Sequence, residues 1–193
     1  MSGFEGFITD IKTFNDRLFI STFEGLYYKN STSTGTEFIQ VPVIGAEIIR
    51  QLFLFHPTRN RSFLLASTEN GIYVVDQQMN VTRMENLVIN PPEKEHKGMW
   101  EYSGWSLLQD PEHQNRLFTG ESQLVGLEYS RGRWEEFMRV DKLPEHVQLQ
   151  KKCIDKYGYF WGSSESMLAR IDIEHPALAT VKLMDQSQGL PSG

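Results

Sequence analysis

The sequence predicts an all-β chain made of about four similar four-stranded antiparallel units. Three observations predict this. An apolar strand ending in small residues, a short turn and a second apolar strand recur four times along the chain. The anchor residues of these hairpins, Gly25, Gly71, Gly126 and Met167, are spaced 46, 55 and 41 residues apart. Residues that favour tight turns stand between the apolar runs, as in Asn15-Asp16, His56-Pro57-Thr58-Arg59-Asn60, Asp110-Pro111, Arg131-Gly132 and Lys156-Tyr157-Gly158. A period of roughly 40–50 residues with four strands per repeat is the mark of β-propeller blades.

Each unit fills with strands in order. The first has strands at 7–14, 17–22, 25–29 and 38–43, with the hairpin Ser21-Thr22-Phe23-Glu24-Gly25-Leu26-Tyr27 at its centre. The second has 48–55, 62–67, 71–76 and 81–87, around Ser67-Thr68-Glu69-Asn70-Gly71-Ile72-Tyr73. The third has 104–109, 116–119, 125–130 and 134–140, with a longer central turn. The fourth has 150–155, 159–163, 167–172 and 180–184. Second strands such as Phe63-Leu64-Leu65-Ala66 are apolar without alternation, as expected where both faces are covered. The blades then span about residues 7–45, 46–88, 100–141 and 147–186. The polar, Pro-containing stretch 88–99 reads as an insertion loop. Two alternatives remain at this level. A β-sandwich also has regularly spaced short strands, and residues 46–55 place Ile48, Ile49, Leu52 and Phe53 on one helical face.

Composition excludes several functions. The 193 residues are 39% hydrophobic and 23% charged, too ordinary for a disordered chain. No apolar run approaches the ~18 residues of a membrane span. The net charge of −6 argues against a nucleic-acid partner. The single cysteine, Cys153, rules out an intramolecular disulfide or a Cys-rich zinc site, and reads as an inert buried thiol. Residues 1–20 lack the pattern of a secretory signal. The expected location is cytoplasmic, or periplasmic if these residues belong to a membrane sensor.

The repeats resemble the two-component regulator propeller repeat. Asp155-Lys156-Tyr157-Gly158-Tyr159-Phe160-Trp161-Gly162-Ser163, continuing to Leu168 and Asp172, carries the family's D-x-x-G-x-x-W element. Gly189-Leu190-Pro191-Ser192 matches its inter-blade signature. The third unit fits least well. The resemblance covers about residues 7–193 and implies the sensor domain of bacterial histidine kinases and hybrid two-component systems, many of which detect oligosaccharides or similar nutrients. Members usually carry more blades. The chain is therefore expected to be part of a larger propeller, to close as four blades, or to be a half completed by homodimerisation.

Candidate site residues are few. Trp100, Tyr102 and Trp105 cluster beside the insertion loop, where flat aromatic faces would suit a small-molecule or sugar ligand. Trp161 and Trp134 read as packing residues, Trp161 between blades. The five histidines lack metal-ligand spacing, so no metal and no cofactor are expected. Ser163 and Ser164 lack a G-x-S-x-G elbow, and Glu93, Glu95 and Glu101 read as a solvated acidic face. The expectation is a ligand-sensing input module with no enzymatic activity of its own. A protein–protein scaffold is the alternative, and a lyase- or glycosidase-like propeller enzyme is a third reading.

Overall fold

A computed structural model describes residues 7–35, 37–45, 47–68, 71–84, 106–141, 143, 147, 149, 151–164, 167–175, 180–188 and 190. They form sixteen strands in four sheets, each a meander in simple sequence order. Blade 1 holds β1 (Ile8–Phe14), β2 (Arg17–Thr22), β3 (Gly25–Asn30) and β4 (Ile39–Gln40). Blade 2 holds β5 (Ile49–Thr58), β6 (Arg61–Thr68), β7 (Gly71–Val75) and β8 (Val81–Arg83). Blade 3 holds β9 (Leu108–Gln109), β10 (Arg116–Thr119), β11 (Leu124–Ser130) and β12 (Arg133–Val140). Blade 4 holds β13 (Lys151–Ile154), β14 (Tyr159–Ser163), β15 (Leu168–Asp172) and β16 (Val181–Met184), followed by a 3-10 turn at Gln186–Gln188. The segment around Leu52 is strand, not helix. Its β-branched start and its pairing partner in β6 outweigh the helical spacing of its apolar residues.

The strands end where local chemistry dictates. Asn15 and Asp16, with φ of 48° and 57°, close β1–β2 as a two-residue turn with left-handed backbone, as do Arg131 and Gly132 between β11 and β12. The outermost strand of blade 1 is shorter than the pattern 38–43 suggests. Val41 still donates its N–H to Leu26 O at 2.8 Å, but Pro42 follows and has no N–H to give. β5 is longer than expected and runs through Pro57. It is an edge strand of its sheet, and the ladder shifts register between Phe55 and Thr58, which accommodates the proline. A register shift recurs at the start of β1, between Ile8 and Asp10, and of β5, between Ile49 and Gln51.

Contacts divide the chain into two compact units, Met1–Trp105 and Ser106–Gly193. In the first, Phe14, Phe19 and Leu26 of blade 1 pack on Ile49, Leu52, Leu64, Ala66, Tyr73 and Val75 of blade 2. Two hydrogen bonds fix the registry of these blades. Leu52 N donates to Asp10 Oδ2 at 2.9 Å, and Thr9 Oγ1 donates to Ile49 O at 2.7 Å. In the second unit, Phe118 and Met138 of blade 3 pack on Phe160, Ala169 and Ile171 of blade 4, with the Phe118 and Phe160 rings 5.8 Å apart.

Gly126, one of the sequence anchors, is not a hairpin glycine. By register and face Gly126 opposes Phe118 as Tyr28 opposes Phe19, so it stands inside the third strand and not at the hairpin end. Gly126 is required by packing instead: a Cβ there would lie 2.6 Å from Met138 Cγ and 2.8 Å from the Phe137 ring. Cys153 is exposed, not buried. It sits on the face of β13 turned away from blade 3, since alternate residues of a strand point to opposite faces.

Candidate functional site

The aromatic trio Trp100, Tyr102 and Trp105 lies outside the described residues. The described residues direct attention to the turn joining the second and third strands of each blade. In blade 1 this turn satisfies itself. Thr22 Oγ1 accepts the Glu24 N–H at 3.0 Å and donates to Gly25 O at 3.1 Å. Gly25 has a φ of +130°, and a Cβ on it would lie 2.2 Å from Gly45 O. Blade 2 repeats the arrangement, with Thr68 Oγ1 donating to Gly71 O at 3.0 Å and Gly71 at φ +136°. The recurring Thr-x-x-Gly is thus a side chain closing its own turn.

Blade 3 differs. Its turn runs Thr119-Gly120-Glu121-Ser122-Gln123 and is held by neighbouring backbone: Leu143 N donates to Ser122 O and Leu149 N to Glu121 O, both at 3.0 Å. Gly120 has a φ of +122° and no room for a Cβ, which would meet Gln123 O at 2.1 Å. Lys152, on the first strand of blade 4, donates from Nζ to Ser106 O at 3.2 Å and to Gly120 O. At the matching position blade 2 has Leu52 and blade 1 has Ile11. Burial pushes the Lys152 ammonium down to about 7, with the Glu121 carboxylate opposing the shift.

Arg139 fixes the orientation of Gln123. The arginine forks onto Glu136, with Nε–Oε1 at 2.8 Å, and its Nη1 donates to Gln123 Oε1 at 3.2 Å. A guanidinium only donates, so it must meet the amide oxygen, leaving Gln123 Nε2 as the unused donor. Gln123 Nε2 is buried without a hydrogen-bond partner, and so is Thr119 Oγ1. Leaving such groups unpaired is costly, so their coincidence in one turn is notable. The group of Thr119, Glu121, Gln123 and Lys152 is the candidate site. Sequence reasoning missed it, because the third turn read only as a poor copy. The available signals were the longer turn itself and a lysine where sibling blades carry Ile or Leu.

A smaller polar group lies in the first unit. Tyr73 donates its hydroxyl to Glu47 Oε1 at 2.6 Å, while Glu47 Oε2 is buried without a partner. Burial, then the bond to Glu47, raises the Tyr73 hydroxyl above its ordinary value. Trp161 lies half-buried on the face of blade 4 turned away from blade 3, and its indole N–H donates to Asp155 Oδ2 at 2.7 Å. Asp155 also accepts the N–H of Tyr157 at 2.8 Å and of Tyr159 at 3.1 Å. The bond from Trp161, foremost, lowers the Asp155 carboxyl. The D-x-x-G-x-x-W pattern is therefore a carboxylate that caps a turn and tethers an indole. Trp134 packs against Tyr129 with ring centroids 5.1 Å apart. His113 and His175 each meet the aspartate of their own turn, Asp110 and Asp172, at 3.1 Å.

No family model matches the chain, and no curated protein matches it. Solved structures do. The chain is similar to the extracellular domain of the putative hybrid two-component system BT3049 from B. thetaiotaomicron, at 15% identity and a TM-score of 0.57, over 96% of this chain and 24% of that one. It is similar to the extracellular domain of the putative one-component system BT4673 from the same organism, at 14% identity and a TM-score of 0.57, over 92% and 22%. The β-propeller domain of Cps50 (Swd1) from Myceliophteria thermophila matches at 9% identity and a TM-score of 0.55, over 92% and 59%. The four sheets are therefore β-propeller blades. The chain spans less than a quarter of the two extracellular domains it resembles. Among the described residues no helix is long and apolar enough to cross a membrane.

Proposed function

We propose that this chain is a ligand-sensing module of a signal-transduction protein, taking a small oxygen-rich molecule such as a carbohydrate. The observation that carries the reading is the blade 3 turn, where Thr119 Oγ1 and Gln123 Nε2 are held in place with hydrogen-bonding capacity unused. Hydroxyl groups both donate and accept, so a polyhydroxylated ligand matches the hydroxyl, amide N–H and carboxylate carried by the five residues Thr119 to Gln123. The likeness to extracellular domains of one- and two-component systems supports the same class, and a periplasmic or extracellular setting with it. Trp100, Tyr102 and Trp105 are proposed as ligand contacts on their aromatic character in the sequence alone. Signalling requires that the ligand bind two states of the protein with different affinity. Any kinase chemistry belongs outside these residues, and the module itself is not an enzyme.

A thermal-shift screen of mono- and oligosaccharides tests the proposal. A stabilising sugar is expected, with affinity at least about tenfold weaker in Thr119→Val and in Trp100→Ala, a loss of about 1.4 kcal/mol. Absence of any stabilising ligand, or unchanged affinity in both variants, would sink it. The second reading, a protein–protein scaffold, is favoured by the exposed Phe7, Ile8, Ile11 and Phe23 on blade 1.

A further inference from the structure

Lys152 is an unusual residue for its place in a blade. It opposes Gly162 as Leu52 opposes Ala66 and Ile11 opposes Ile20, so both sibling blades carry an aliphatic side chain there. In blade 2 that side chain, Leu52, is fully buried.

The amine makes its contacts in blade 3. Nζ donates to Ser106 O at 3.2 Å and to Gly120 O, and among the described residues no carboxylate forms an ion pair with it. An ammonium carries three N–H groups, whereas an uncharged amine carries two and a lone pair. Two carbonyl oxygens match the two N–H groups of the uncharged form and leave its lone pair free. The burial that lowers the Lys152 ammonium to about 7 supplies this form at neutral pH.

A donor lacking an acceptor stands next to the same glycine. Gly120 O accepts from Lys152, and a Cβ on Gly120 would lie 3.5 Å from Gln123 Cγ. Arg139 Nη1 donates to Gln123 Oε1 and so fixes the amide. The Gln123 Nε2 donor is left over, buried and without a hydrogen-bond partner among the described residues. Gly120 is thus flanked by a nucleophilic nitrogen and by a donor able to meet an anion formed on that nitrogen.

We propose that Lys152 is a reversible modification site at which carbon dioxide adds to Nζ, forming a carbamate held by the Gln123 amide. The Nζ lone pair forms the new N–C bond, one C–O π pair of carbon dioxide moves onto oxygen, and one proton leaves the nitrogen for solvent. The side chain passes from neutral to singly negative, and nothing is oxidised or reduced. The N–H that remains keeps one of the two carbonyls. Carbon dioxide is small and apolar, which suits it to a packed site. Glu121 works against the product, because its carboxylate favours the ammonium and repels a carbamate. The modification stands apart from carbohydrate binding and does not require it.

Carbon NMR of the whole chain with isotopically labelled bicarbonate, at mildly alkaline pH, tests the site. A carbamate signal is expected that is lost in Lys152→Met and in Lys152→Arg, while any signal from the terminal amine persists. Lys152→Met supplies the apolar filling that Leu52 gives blade 2, and a thermal melt checks its fold. Trapping the carbamate as its ethyl ester, followed by peptide mapping, should place it on Lys152 without any substitution. Glu121→Gln should strengthen the signal and Gln123→Met should weaken it. Wild-type protein with no trapped carbamate on Lys152 overturns the proposal. So does a signal undiminished in folded Lys152→Met, or one unchanged in Gln123→Met. None of these outcomes depends on the sugar screen.

Discussion

The turns Thr22–Gly25 and Thr119–Leu124 occupy the same place in their blades and meet different ends. In blade 1 a buried threonine hydroxyl accepts one backbone N–H and donates to one carbonyl, and nothing is left over. In blade 3 Thr119 pairs with Val125 inside the sheet, so it does not hold the place of Thr22, and its hydroxyl takes no part in closing the turn. A lysine from the next blade and two backbone amides, from Leu143 and Leu149, hold the turn. The difference teaches that a turn can dispense with side-chain self-closure when a neighbouring blade supplies the support.

The largest expected effect tests the part the two turns share. Gly25→Ala and Gly120→Ala each force a Cβ to within about 2.2 Å of a carbonyl oxygen at positive φ. Each should lower the unfolding free energy by well over 1 kcal/mol in urea denaturation. Equal stability in either variant would mean that the turn relaxes freely.

The next separates them. Thr22→Val removes both hydrogen bonds and leaves the Glu24 N–H unpaired, for a loss of about 1–2 kcal/mol. Thr119→Val removes a hydroxyl that has no partner, so stability should be unchanged or slightly higher in the absence of ligand. Similar losses in both would erase the contrast.

A third concerns Lys152. Its folded value, about 7, lies below the ordinary 10.5, so between these values the unfolded chain binds more protons than the folded one. Stability should therefore rise as pH increases from about 7 toward 10.5, and the Lys152→Met protein should lack this rise. Thermal melts of both proteins across that range measure it, and parallel curves would remove Lys152 as the source.

The smallest effect lies at the turn before β14. The Asp155 carboxyl is held below its ordinary value, so its contribution is present above that value and is lost as pH falls through the lowered one. The group is at the surface, so Asp155→Asn should reduce the acid sensitivity of melting only slightly. Trp161→Phe, which removes the indole N–H bond to the carboxylate, should act in the same direction.

Much of this architecture is legible in the chain itself. Apolar runs bounded by Asn-Asp, Arg-Gly and Lys-Tyr-Gly turns specify the strands, because a two-residue turn with left-handed backbone accepts few residue types. The spacing of the hairpins specifies the number of blades. The Thr-x-x-Gly element is readable because both its partners lie within three residues. The exposure of Cys153 and the tether of Trp161 were not readable, since they depend on which strand face turns to a neighbouring blade. Gly126 misled because a glycine demanded by two side chains of β12 looks the same in sequence as one demanded by a turn.

By itself, then, the sequence determined the all-β class, the repeat and nearly all of the strands, since these rest on short-range preferences and period-2 patterning. Tertiary structure alone decided where the polar chemistry gathers. Lys152 reaches Gly120 across 32 residues of chain, and burial between two blades lowers its proton affinity. Desolvation is a property of the packed neighbourhood, and no local stretch of sequence encodes it.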